Sequence, residues 1–160
     1  MMMYDLLMQL EKHARLSNAE LAAMLDMAEA DVKAAIKEYE DAGIIRGYTT
    51  IVDWEKTDRD YVSARIELKV TPKKDRGFEE LAEQISRYSE VQSLYLMSGG
   101  YDLALTIVGK TFKDIASFVA YRLAPLDSVQ STATHFILRK YKEKGVVTGD
   151  TYRDERRVVL

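Results

Sequence analysis

The chain has 160 residues, 47% hydrophobic and 31% charged, with a formal net charge of −3; this fits a globular protein of one or two small domains. It has no cysteine and two histidines, His13 and His135. Disulfides, thiolate metal sites and cysteine nucleophiles are thereby excluded, and no metal or other cofactor is expected. No apolar run approaches the roughly 18 residues of a membrane span, and the opening Met1-Met2-Met3-Tyr4-Asp5 lacks the basic start of a secretory leader. A cytoplasmic protein with no membrane partner is expected.

Helical periodicity comes first along the chain. Residues 3–14 place Leu6, Leu7, Leu10 and Ala14 on one face. Ser17-Asn18-Ala19-Glu20 reads as a capping box: the serine hydroxyl accepts from a first-turn N–H while the glutamate reaches back. It opens a second helix expected to bury Leu21, Met24 and Leu25, and Asp26-Met27 makes the turn. A third helix runs from about Ala28 to Asp41, with Val32, Ala35, Ile36 and Tyr39 inward and Gly43 ending it. Ile44–Tyr48 and Thr49–Val52 are β-prone and predict a wing or exit strand. Residues 1–52 therefore read as a winged helix-turn-helix.

Residues 53–60 are polar and read as a linker, with Trp54 expected to pack against one domain. The period then changes to two. Val62, Ala64, Ile66, Leu68 and Val70 alternate with polar residues, as in a strand with one buried face. A basic loop spans 72–77, and Phe78, Leu81, Ala82 and Ile85 mark a helix. Val91–Met97 and Asp102–Val108 flank Ser98-Gly99-Gly100-Tyr101, which predicts a tight glycine hairpin. Thr111 caps a helix carrying Ile115, Phe118 and Val119, and Val129–Leu138 is the last strand. The order β-α-β-β-α-β is ferredoxin-like, over residues 61–145, with a charged tail at 146–160. The fold class is α+β. Two helices cover one sheet face, and a second copy of the chain is the simplest cover for the other.

The chain resembles the Lrp/AsnC (feast/famine) transcription regulators over nearly its whole length. The resemblance is carried by Arg15–Ala22 with Glu40–Thr49, and by Ser98-Gly99-Gly100-Tyr101-Asp102-Leu103 with Thr132, Thr134 and Lys140-Tyr141-Lys142. It implies a DNA-binding head, a C-terminal domain sensing an amino acid or related metabolite, homodimers through that domain's sheet, and higher homo-oligomers. The chain departs from the family pattern at the recognition helix. Ala28 stands where a serine cap is usual, and Ala34 and Ala35 stand where an arginine pair is usual. Charge points the same way: residues 1–50 carry five bases and nine acids, net −4, and the remainder nets +1, whereas DNA-binding domains are usually basic.

The residues expected to meet double-stranded DNA are Ser17, Asn18, Lys33, Lys37 and Arg46, with Lys56 and Arg59 adding backbone contacts. The effector residues are Gly99, Gly100, Tyr101, Asp102, Thr132 and Thr134. Bare backbone at the glycines suits a ligand carboxylate, and Asp102 suits an α-amino group. Each also has a plainer reading: a simple turn for the glycines, a turn cap or ion pair for Asp102, an assembly contact for Tyr101, strand propensity for the threonines. His135 faces the other side of its strand and reads as structural. Two alternatives stand beside the regulator: a metabolite-binding assembly module whose head no longer binds DNA, and an enzyme similar to siroheme decarboxylases, which share the two-domain layout.

Overall fold

A computed structural model of the protein describes residues 2–71 and 77–148. The basic run at 73–76 and the tail from 149 onward lie outside the described residues. The chain divides into two compact units, residues 1–51 and 52–160, each with its own apolar cluster. No described helix is long and apolar enough to cross a membrane.

The first unit holds α1 (Met2–Lys12), α2 (Asn18–Leu25) and α3 (Glu29–Asp41). Leu6, Leu10, Leu21, Ala22, Val32 and Tyr39 form its core. The predicted capping box is present at Ser17 and Glu20. Asp26 closes α2 in the left-handed conformation, φ 53°, which aspartate tolerates better than most residues. Ala28 opens α3 with no side-chain cap. Gly43 sits at φ 67° beyond the helix end, and the N–H groups of Ile44 and Ile45 both donate to the Tyr39 carbonyl.

Three sequence expectations fail here. Ala14 lies past the end of α1 and is exposed. Met24 is exposed, because the buried stripe of the short α2 is Leu21, Ala22 and Leu25, and Met24 turns about 100° away from it. Residues 44–52 form no strand. β-prone residues need a neighbouring ladder, and the described residues of this unit offer none. Ile45 instead packs on the helical core, and the Tyr48 hydroxyl donates to Glu40 at 2.9 Å.

The second unit contains β1 (Val62–Val70), α4 (Glu79–Ser86), β2 (Val91–Leu96), β3 (Leu103–Gly109), α5 (Phe112–Phe118) and β4 (Val129–Ile137). The antiparallel sheet has the order β2-β3-β1-β4, the ferredoxin-like arrangement. α5 continues through a π-helical turn, Val119–Leu123, that buries Val119 and Leu123. Register assigns the faces. Ala64, Ile66 and Leu68 pair with Ile107, Leu105 and Leu103 on one side and with Phe136, Thr134 and Thr132 on the other. This is the helix-covered face, where Leu81, Ile85, Ile115, Phe118 and Leu123 complete the core. Arg65, Glu67, Thr106, Tyr95 and His135 project from the opposite face.

The linker folds onto this unit. Asp53 caps a short turn, Trp54–Lys56. Trp54 stacks on Tyr61 with centroids 5.9 Å apart, and the Arg59 guanidinium lies 4.4 Å above the indole. At the other end a small hairpin pairs β5 (Lys142–Glu143) with β6 (Val146–Val147). Its turn, Lys144-Gly145, has φ of 45° and 86°, as a two-residue primed turn requires. The expected boundary between 145 and 146 thus falls inside a hairpin, so 146–147 belong to the folded unit.

Candidate DNA-binding head and effector loop

In the head, the exposed stripe of α3 carries Ala30, Lys33, Ala34 and Lys37, away from the inward Val32, Ile36 and Tyr39. The two lysines are not equivalent. Lys37 donates to Asp41 at 2.6 Å, and that contact raises its pKa above the ordinary lysine value. Lys33 is exposed and forms no ion pair among the described residues. Arg46 is exposed with its guanidinium folded over Gly43, where a Cβ would sit 3.3 Å from Cζ.

Asn18 begins α2 half-buried, and the start of that helix is less open to phosphate than the sequence suggests. Ser17 donates its N–H and its hydroxyl to Glu20 Oε2, each at 2.8 Å, and the Glu20 N–H donates to the Ser17 hydroxyl at 3.2 Å. The Ser17 N–H, with the hydroxyl behind it, lowers the Glu20 pKa. A carboxylate held at the helix opening satisfies the dipole itself and repels an approaching phosphate. Ser17 is therefore a structural cap first.

In the second unit the glycine motif makes a longer connection than a two-residue hairpin. Leu96 pairs with Leu103, the Met97 N–H donates to the Asp102 carbonyl at 2.8 Å, and Ser98–Tyr101 form a four-residue tip. Gly99 and Gly100 are exposed, and a Cβ on either would meet nothing within 4 Å.

Asp102 anchors the loop. Its N–H donates to the Leu68 carbonyl at 2.9 Å. Its carboxylate accepts from the Val70 N–H at 2.8 Å and from Lys69 Nζ at 3.2 Å. The Val70 N–H is the main cause of its lowered pKa, with Lys69 assisting. Each carboxylate oxygen thus accepts from the chain itself, so Asp102 is a cap and ion-pair partner in this structure. Lys69 is the partner that sequence reasoning missed. It reads there as one more polar position of an alternating strand, 33 residues from its carboxylate.

A pH prediction follows with a definite sign. A carboxylate whose folded pKa lies below its unfolded value adds stability above the unfolded value and loses it as pH falls through the folded one. Asp102→Asn should lower the melting temperature at neutral pH. The gap to the parent should close as pH drops below the ordinary aspartate value of 3.8. A pH-independent gap in differential scanning fluorimetry would contradict this origin.

Thr132 and Thr134 are half-buried on β4. Thr132 lies across from Leu68, whose carbonyl holds Asp102, so this threonine and the loop flank the same end of β1. Thr134 is two residues further in, opposite Ile66. His135 projects from the opposite face, with Nε2 3.4 Å from Glu67 Oε2, and Arg65 reaches the same carboxylate group at 3.6 Å. A cleft of about 240 Å³ lies beside Leu81, Gln84, Pro125 and Ser128, and another of about 370 Å³ at Tyr61 and Lys110. None of the six expected effector residues lines either cleft.

Comparison with known proteins agrees with this architecture. The family model described as the Lrp/AsnC ligand binding domain matches residues 63–147, and a winged helix-turn-helix DNA-binding model matches residues 4–46. The uncharacterized HTH-type transcriptional regulator YugG of Bacillus subtilis is 44% identical over 159 residues, covering 98% of this chain and 94% of its own. The HTH-type transcriptional regulator LrpA of Pyrococcus abyssi is 29% identical over 133 residues, covering 83% and 92%. Among solved structures, the transcriptional regulator NMB0573 of Neisseria meningitidis, crystallised with L-Met, superposes with a TM-score of 0.71 at 25% identity, covering 89% of this chain and 91% of that one. Escherichia coli AsnC shares the fold, with a TM-score of 0.67 at 20% identity and coverage of 89% and 93%. These relatives are transcriptional regulators, which sets the enzyme alternative aside. The chain belongs to the Lrp/AsnC family of DNA-binding transcriptional regulators and carries that family's ligand-binding domain.

Proposed function

We propose that this regulator binds an amino acid or a related small metabolite at the tip Ser98–Tyr101 and couples that binding to its oligomeric state. The observation that carries the reading is an open glycine tip held in place from behind by Asp102. Backbone N–H groups at Gly99–Tyr101 take the ligand carboxylate. Asp102 acts as a positioning residue. Thr132, at the same end of β1, and Thr134 supply hydroxyls near the pocket mouth, and Tyr101 closes one side. The ligand-binding description of the matched family model and the L-Met complex of the Neisseria neighbour favour this class of effector.

Two copies pair across the uncovered sheet face. Arg65, Glu67 and His135 on that face carry both signs of charge, so a two-fold copy can present cations to anions. The glycine tips of neighbouring copies then complete the ligand pocket. Ligand shifts the assembly only through its preference for one state over another, and several heads acting together supply DNA affinity that one head lacks.

A thermal-shift panel of amino acids and 2-oxo acids tests the sensing step. A ligand at 100 times its Kd adds about 2.7 kcal/mol of stability. Gly100→Val is the discriminating variant, because Gly100 does not require positive φ and a Cβ there meets open space. Its melting temperature without ligand should match the parent's, while its affinity for the stabilising ligand falls at least about tenfold. Unchanged affinity would move the ligand away from the tip. Sedimentation with and without the ligand reads the coupling.

A further inference from the structure

The outward face of α3 is built as a base reader without hydrogen-bonding side chains at its centre. A helix-turn-helix lays its second helix in the major groove, and the first turns of that helix meet base edges. Here that helix is α3, which follows α2 and the turn at Asp26. Its 13 residues include no arginine, asparagine or glutamine, the side chains that most often pair with guanine or adenine through two hydrogen bonds.

Position on the helix sorts the exposed side chains. At about 100° per residue, Ala30 and Ala34 stand roughly 160° from the buried Val32, one to each side, and their methyl groups head the face away from the core. Lys33 stands about 100° from Val32 on one flank, and Asp31 and Glu38 stand about 100–120° from it on the other. All five are exposed. Lys37, on the cation flank, is held by Asp41. Lys33 suits a phosphate of one DNA strand, and the carboxylates repel phosphates of the other. The centre of the face then offers base edges two methyl groups. Both sit on side chains short enough for a helix about 10–12 Å across to lie deep in a groove about 12 Å wide.

We infer that Ala30 and Ala34 determine the base preference of the head by reading the C5 methyl groups of thymine. Thymine alone among the four bases presents an apolar group in the major groove. Contact with an alanine methyl removes both groups from water. Alanine offers no hydrogen bond to separate guanine from adenine, so discrimination falls on thymine against cytosine at one pyrimidine position. Each methyl engaged is worth about fourfold in affinity, the effect of roughly one buried CH2.

Three duplexes of equal length test this by anisotropy titration of the full chain at low salt. The first has mixed A·T and G·C pairs. The second is the same sequence with deoxyuridine for every thymidine. The third is the uridine duplex with 5-methyldeoxycytidine for every deoxycytidine. The hydrogen-bonding edges are the same in all three, and only the pyrimidine methyl moves. The thymidine duplex should bind at least about fourfold tighter than the uridine duplex, and 5-methyldeoxycytidine should restore the loss. The double variant Ala30→Ser, Ala34→Ser changes exposed positions only and should bind the thymidine and uridine duplexes alike. Equal binding of those two duplexes by the parent chain, which needs no substitution, overturns the assignment, as does binding to none of the three. A methyl dependence that survives in the double serine variant also overturns it, because the duplex shape is then what is read. So does tighter binding of a G·C-only duplex that Asp31→Asn with Glu38→Gln abolishes, which puts the carboxylates on cytosine amino groups instead.

Discussion

Ile66→Ala should destabilise the C-terminal unit by about 2–5 kcal/mol, the range for truncating a large buried aliphatic residue. Ile66 is fully buried in the middle of β1, paired with Leu105 on one side and Thr134 on the other. The helix-covered core closes over it, with Leu81, Ile85, Ile115 and Leu123 in the same cluster. Close packing prevents full collapse around the missing atoms, so a cavity term adds to the lost transfer energy. Against a typical total stability of about 5–15 kcal/mol, this loss is large. The head has a separate core of Leu6, Leu10, Leu21, Val32 and Tyr39, and its own transition should stay where it is. Urea unfolding followed by Trp54 emission should shift to lower denaturant, while a helix-weighted circular dichroism transition persists. A single coincident transition, displaced as a whole, would show that the two units unfold as one.

The second large effect concerns DNA. Lys33→Gln should weaken binding to double-stranded DNA by roughly tenfold per engaged head at low salt. It should also reduce the slope of log affinity against log salt by about 0.9 per head, the share of one phosphate contact. Lys37→Gln should do much less. Both lysines lie on the outward stripe of α3, but the Lys37 ammonium is spent on Asp41 at 2.6 Å, whereas Lys33 points to solvent without an ion pair among the described residues. Because the first 50 residues carry a net charge of −4, one free cation on this helix matters more than it would on a basic head. Neither variant touches the buried stripe, so helicity should be unchanged. Salt titrations in a gel-shift or anisotropy assay read both quantities, and equal losses for the two lysines would refute the distinction.

Much of the fold was legible in the order of residues. The 3.6-residue spacing of Val32, Ile36 and Tyr39 announced α3, and the period-two run from Val62 to Val70 matched β1 to the residue. Ser17-Asn18-Ala19-Glu20 and Thr111-Phe112-Lys113-Asp114 carry their caps within four residues, and both capping boxes form. These signals are local. The failures were not. Met24 had apolar character but no facing neighbour, and the β-prone 44–52 had no ladder to join. The turn at Lys144-Gly145 depended on a two-residue strand too short to show a period.

The candidate site divides in the same way. The sequence alone identified the glycine tip, the aspartate behind it and the lysine pair on α3, because each is a short run of distinctive chemistry. Only the tertiary structure decided what those residues are free to do. It turned Asp102 inward to Val70 and Lys69, more than thirty residues away, whereas the Lys37–Asp41 and Ser17–Glu20 contacts are local, four and three residues apart. It also stacked the linker's Trp54 on Tyr61, with the Arg59 guanidinium over the indole. The physical reason is common to all of these. A side chain's chemistry is set by its covalent structure, but its availability depends on which donors and charges the folded chain brings within about 3–4 Å, and the register of strands distant in sequence settles much of that.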